Sequence, residues 1–136
     1  MPNGSVITPD GTTLIVGQTF GGDYIAFTIQ ADGSLTDRRQ WADIPGTYPD
    51  GCSLDTAGGI WFSDAVGSQI IRVEEGGHVT ARLATPMPTF ACMLGGADGR
   101  TLFALCAPGS HPDECAGMAA GAIYSTQVEH PRAGRP

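Results

Sequence analysis

Asn3 and Asp50 each pair a hard oxygen donor with a following glycine. Asn3 precedes Gly4, and Asp50 precedes Gly51 within Pro49-Asp50-Gly51. Carboxylate, amide carbonyl and water oxygens suit Ca²⁺, Mg²⁺ or Mn²⁺ better than a soft metal. The same letters also make ordinary turns, because Asn and Asp hydrogen-bond their own backbone and Gly accepts positive φ. Local sequence leaves both readings open. Pro9-Asp10-Gly11 is a useful contrast, since it lies between two apolar runs and predicts only a hairpin tip. The remaining polar candidates carry less. His78, His111 and His130 fall in a hairpin, in a long polar loop and in the closing stretch, where no two are expected to meet. Ser63 and Ser110 lack a nucleophile elbow or a partner histidine. The pairs Gly21-Gly22 and Gly95-Gly96 lack the strand-to-helix context of a phosphate-binding loop.

The elements that must carry Asn3 and Asp50 emerge from internal repetition. Ser5 to Val16, Cys52 to Phe62 and Cys92 to Phe103 each read as a short apolar strand, a glycine turn and a second strand. The turn glycines Gly11, Gly58 and Gly99 are 47 and 41 residues apart, a period that belongs to β-propeller blades. Tyr24 to Ile29 and Leu35 to Trp41 predict the third and fourth strands of the first unit; Ile25, Phe27 and Ile29 alternate as a strand requires. Gln69 to Val73 and His78 to Leu83 do the same for the second unit. The third unit has Leu102 to Cys106, a polar loop from Ala107 to Ala120, and one strand around Ala122 to Val128. Its outer strand is missing. Trp41 and Trp61 are expected to pack between blades.

The predicted architecture is therefore all-β, one incomplete propeller with blades over about 3–45, 46–88 and 89–130. Aligning Gly4 with Gly51 makes Asn3 and Asp50 equivalent, just before the first and innermost strand of consecutive blades. Their oxygens would then converge near the propeller axis. The third blade places Phe90 there, which cannot be a ligand. Three blades cannot close a ring, so an apolar blade face and a strand edge are left for self-association.

Composition sets the outer limits. The chain has 136 residues with 14 acidic and 7 basic side chains, a formal charge of −7, and 41% hydrophobic residues. That fits a packed domain and argues against a nucleic-acid surface, which needs a basic stripe. The 20 glycines and 10 prolines predict frequent turns and few long helices. No apolar run approaches the ~18 residues of a membrane helix. Four cysteines without a CxxC pair argue against a structural zinc site. Cys52 and Cys92 are expected to be buried, while a Cys106–Cys115 bridge stays open. With no export signal visible, the expected compartment is reducing and cytoplasmic.

In this order the motifs resemble a known family. Met1-Pro2-Asn3-Gly4, Thr8-Pro9-Asp10-Gly11, Ala31-Asp32-Gly33, Pro49-Asp50-Gly51-Cys52, Leu54-Asp55, Gly58-Gly59-Ile60-Trp61 and Cys92-Met93-Leu94-Gly95-Gly96 look like the C-terminal half of an SMP-30/gluconolactonase/luciferin-regenerating-enzyme protein. The resemblance implies a six-bladed parent that hydrolyses a sugar lactone with a divalent cation (Ca, Zn, Mn or Mg) on the channel axis. It implies Asn3 and Asp50 as metal ligands, Asp50 also as general base, and a glutamate ligand that this sequence does not supply. Activity is accordingly expected to be impaired in this chain. A non-catalytic propeller fragment, at most a binding or interaction module, is the alternative.

Overall fold

A computed structural model describes residues 1–134, leaving Arg135 and Pro136 outside the described residues. Among the described residues, eleven strands form three antiparallel sheets. The first contains β1 (Pro2–Ile7), β2 (Thr13–Gln18), β3 (Asp23–Ile29) and β4 (Leu35–Asp43) in sequential order. The second repeats the plan with β5 (Pro49–Leu54), β6 (Ile60–Asp64), β7 (Gln69–Glu74) and β8 (His78–Ala84). The third holds only β9 (Thr89–Gly95), β10 (Thr101–Cys106) and β11 (Ala122–Gln127). The expected blades, with the third lacking an outer strand, are what the chain forms. Strands β1, β5 and β9 contact one another in succession and are the innermost strands.

Central strands of a propeller are covered on both faces, and the packing shows it. Tyr24 and Ala26 turn from β3 into a core with Trp41, Phe62, Ile71 and Val73, between the first and second blades. Tyr24 meets Trp41 edge-on at a centroid distance of 6.0 Å and Phe62 at 5.7 Å, which adds aromatic geometry to area burial. Trp61 and Ile70 point the other way and pack on Cys92, Leu94, Leu102 and Ala104 of the third blade. Each fully buried side chain of this size contributes roughly 1.5–3 kcal/mol. Both tryptophans thus lie between blades, as expected.

Three details differ from the sequence reading. The first strand begins at Pro2, because Pro2 pairs with Gln18 across a register shift that precedes Ser5. Strand β4 runs on to Asp43, because Ala42 and Asp43 continue the ladder opposite Tyr24 and Asp23 past a bulge. The polar loop after β10 contains one helical turn, α1 (Pro112–Cys115). Glu114 closes that turn by accepting the backbone N–H groups of Ser110 and His111, both at 3.0 Å, and Pro112 pre-sets its first φ.

All four cysteines are free. Cys106 Sγ lies 3.2 Å from Thr89 Oγ1, and Cys115 Sγ donates to the Gly109 carbonyl at 3.1 Å, so no Cys106–Cys115 bridge forms. Cys52 and Cys92 are buried as expected, and burial pushes the Cys52 thiol up to about 12. Neither is a nucleophile at neutral pH. No helix among the described residues is long and apolar enough to cross a membrane.

Candidate functional site

Asn3 and Asp50 stand at equivalent irregularities. Pairing of β1 with β2 shifts between Pro2 and Ser5, and pairing of β5 with β6 shifts between Pro49 and Cys52. Each donor therefore lies in a bulged strand start rather than in a connecting turn. Bulges re-aim side chains and are frequent beside functional sites.

Close backbone approach brings the two starts together. A Cβ on Gly4 would lie 2.1 Å from the Asp50 carbonyl oxygen and 3.0 Å from the Cys52 nitrogen. One blade further round, a Cβ on Gly51 would lie 2.8 Å from Ala91 Cα. Glycine after each donor is thus what lets the next innermost strand seat against it. The turn reading assigned these glycines to positive φ, yet neither has one; they are needed for space.

A buried hydroxyl ties the pair. Asn3 Nδ2 donates to Thr19 Oγ1 at 3.1 Å, and Thr19 Oγ1 donates to the Pro49 carbonyl at 2.9 Å. Thr19 N–H in turn donates to the Met1 carbonyl at 2.9 Å. The relay runs from Asn3 to the residue that immediately precedes Asp50. It uses one of the two N–H donors of the Asn3 amide and leaves Oδ1 outside the relay, able to serve an electrophile. Thr19 was not singled out from the sequence. Its only signal was a β-branched hydroxyl residue just after an apolar strand, which is common.

Asp50 is half-buried, and burial raises its carboxyl above the ordinary aspartate range. A hydrogen bond from the Asn3 amide works in the opposite direction and is the smaller influence. Folded Asp50 therefore keeps its proton to a higher pH than it does in the unfolded chain. The stability this confers is present below the unfolded value of about 3.9 and is lost as pH rises through the folded value. At pH 7 the ionised carboxylate is a net cost to the fold. Asp50→Asn, melted in chelator at pH 7, is expected to show a Tm equal to or above that of the parent chain; a clear fall would overturn this view of Asp50.

The buried layer beneath is inert. The Tyr24 hydroxyl ends beside the Cys52 thiol, buried and without a normal hydrogen bond, and burial raises its pKa well above the usual value. Asp10 is a turn residue, accepting from Thr8 Oγ1 at 2.6 Å and Thr12 N–H at 3.1 Å; the Thr8 contact leads in lowering its pKa. Ser63 Oγ is spent on the Gly51 carbonyl at 3.0 Å. His78 opens β8 and His111 precedes α1, both exposed, while His130 follows β11 on a third element. Phe90 occupies the third blade's position and offers no donor.

Asn3 and Asp50 offer an amide oxygen and a carboxylate, the oxygen types that hard cations take. Among the described residues no group of three His, Cys, Asp or Glu side chains could hold a metal ion, so the remaining ligands would have to be water, substrate or other chain.

The fold is that of a partial β-propeller, with Asn3 and Asp50 at the starts of its first two innermost strands. The chain belongs to the SMP-30/Gluconolactonase/LRE-like region family, whose signature matches residues 1–107. It is 28% identical over 141 residues to the 6-deoxy-6-sulfogluconolactonase of Pseudomonas putida, covering 98% of this chain and 48% of that protein. It is 27% identical over 146 residues to the pentonolactonase XacC of Haloferax volcanii, covering 100% of this chain and 50% of the relative. In fold it superposes with a TM-score of 0.76 on regucalcin, a calcium-binding protein from Agrobacterium tumefaciens, at 22% identity over 99% of this chain and 48% of that one. The chain spans about half the length of the curated relatives it matches.

Proposed function

We propose that this chain carries part of the active site of a sugar-lactone hydrolase, corresponding to the C-terminal half of such a propeller. The observation that supports the reading is the Asn3–Thr19–Pro49 relay, which ties Asn3 to the residue before Asp50 at the starts of adjacent innermost strands. Asn3 Oδ1 and the Asp50 carboxylate would hold a divalent cation, whether calcium, zinc, manganese or magnesium. Such an ion, when bound, polarises a lactone carbonyl and stabilises charge developing on its oxygen.

The chain's own residues do the rest. Asp50 orients the attacking water and accepts its proton on a carboxylate oxygen, and its partial burial makes that oxygen more basic than in a free aspartate. The Thr19 hydroxyl holds Asn3 in one orientation, so the amide oxygen stays available without reorganisation. Two protein donors leave most of the shell to water, which makes the site weak and its turnover low.

The test is hydrolysis of gluconolactone and pentonolactones with each cation added to chelator-treated protein. Asp50→Ala is expected to reduce cation-dependent turnover by about 100-fold, the lower range for loss of a general base. Equal rates in parent and variant would remove Asp50 from the reaction. The second reading, a non-catalytic propeller fragment that acts at most as a binding or interaction module, is favoured by the lack of a third acidic, histidine or cysteine ligand among the described residues. It predicts no cation-dependent turnover in either protein.

A further inference from the structure

We propose that two copies of this chain close one ring, the third blade of each covering the first blade of the other. Register positions carry the argument. Inside the molecule every blade has a receiving face and a covering face. Ile60, Phe62, Ile71 and Val73 form the receiving face of the second blade, all 0% exposed beneath the first blade's Val6, Ile15, Tyr24 and Ala26. Trp61 and Ile70 form its covering face and lie on the third blade.

The two ends of the arc are the unmatched halves of this pattern. Ladder pairing makes Leu14 and Phe27 the counterparts of Ile60 and Val73, and makes Val16 and Ile25 the counterparts of Phe62 and Ile71. The first blade thus turns outward a receiving face, a mainly apolar groove lined by Leu14, Val16, Ile25, Phe27 and Leu35 together with Gln18 and Arg38. On the third blade Phe103 pairs with Met93 and Ser125, as Ile15 pairs with Val6 and Ala26. Ile123 opposite Leu105 holds the place that Tyr24 and Ile70 hold in the other blades. This outward face is a covering face, and Ile123 stands 68% exposed on it and Leu105 40%. What the first blade lacks is the surface that the third blade leaves open.

Geometry favours a second copy as the occupant. Three blades superpose on 48% of a regucalcin chain, so two copies complete one circuit. A single two-fold rotation about the ring axis makes both contacts at once, each the image of the other. The same rotation sets two Asn3–Asp50 pairs across one channel, which doubles the oxygen donors at its mouth. Apolar patches of this kind are uncommon on a protein that stays single.

Sedimentation of the 136-residue chain at micromolar concentration tests this independently of lactone turnover. The chain is expected to sediment as a dimer. Ile123→Glu and Phe27→Glu, each confirmed folded by circular dichroism, should both raise the dimer dissociation constant by at least about 100-fold, because each buries a charge twice. Leu35→Glu, at an exposed rim position, serves as the first-blade variant if Phe27→Glu fails to fold. Mixing one first-blade variant with Ile123→Glu should restore partial dimerisation, since one of the two contacts is then intact. A monomeric parent chain, open-ended assemblies larger than a dimer, or a dimer indifferent to either face would overturn the proposal.

Discussion

Asp55→Ala is expected to cost about 4 kcal/mol of stability, enough to unfold a substantial fraction of a domain of this size at 37 °C. Asp55 is 1% exposed, and its carboxylate accepts five hydrogen bonds. Oδ1 receives the Ala57 and Gly59 N–H groups at 3.0 and 2.9 Å; Oδ2 receives Trp61 Nε1 at 3.2 Å. Arg72 completes the set as a fork, with Nε 2.7 Å from Oδ2 and Nη2 3.2 Å from Oδ1. The same guanidinium reaches Glu74 and Thr80, both at 2.7 Å. One buried carboxylate therefore ties the end of β5 to β6, β7 and, through Arg72, β8. Its removal leaves the buried guanidinium with only the half-exposed Glu74 as an acidic partner and orphans three N–H donors, which is far costlier than the net worth of the pair.

A double-mutant cycle separates those contributions. Arg72→Met alone should also destabilise, while the double variant should lose less than the sum of the singles, because neither charge is then left unpaired. Chemical denaturation, reading the midpoint at constant slope, makes the comparison. A loss under 1 kcal/mol for Asp55→Ala would mean that water replaces the carboxylate at no cost and that the network does not organise the blade.

The second large effect is expected at Gly4. Gly4→Ala should destabilise by about 3 kcal/mol, the upper range for overpacking, because the clash at 2.1 Å is with backbone that no rotamer can relieve. Gly51→Ala, with its nearest contact at 2.8 Å, should cost less. Gly134→Ala, with nothing within 4 Å and no positive φ, should be neutral. The ordering across these three is the decisive readout in thermal melts. If Gly4→Ala matched Gly134→Ala, β1 and β5 would be free to separate, and Asn3 and Asp50 would have no fixed relation. Where the Gly4 variant does fold, displacement of β1 from β5 should also lower any cation-dependent turnover.

How much of this was legible beforehand depends on the range of the interaction. The repeat of strand, glycine turn and strand is a local pattern, so three blades and the missing outer strand could be read directly from Ser5–Val16, Cys52–Phe62 and Cys92–Phe103. Asp10 was legible as a hairpin residue for the same reason, since its partners Thr8 and Thr12 are its neighbours. Asn3 and Asp50 could be paired by aligning repeats, but their bulged setting could not, because a register shift depends on the partner strand. Thr19 stayed hidden, although it is the hydroxyl between them. The Asp55–Arg72 pair was equally silent, as 17 residues separate partners that only the blade's folding brings to 2.7 Å.

By itself, then, the order of residues determined the architecture, the blade period and the two oxygen donors worth watching, because period and composition are properties of neighbours along the chain. Only the tertiary structure decided that Gly4 and Gly51 serve space rather than turn conformation, that Thr19 bridges Asn3 to Pro49, and that the outward faces of the first and third blades are opposite halves of one packing pattern. Those facts arise where segments 30 or more residues apart meet, as Thr19 meets Pro49, and close contact between distant backbones leaves no mark on either local sequence.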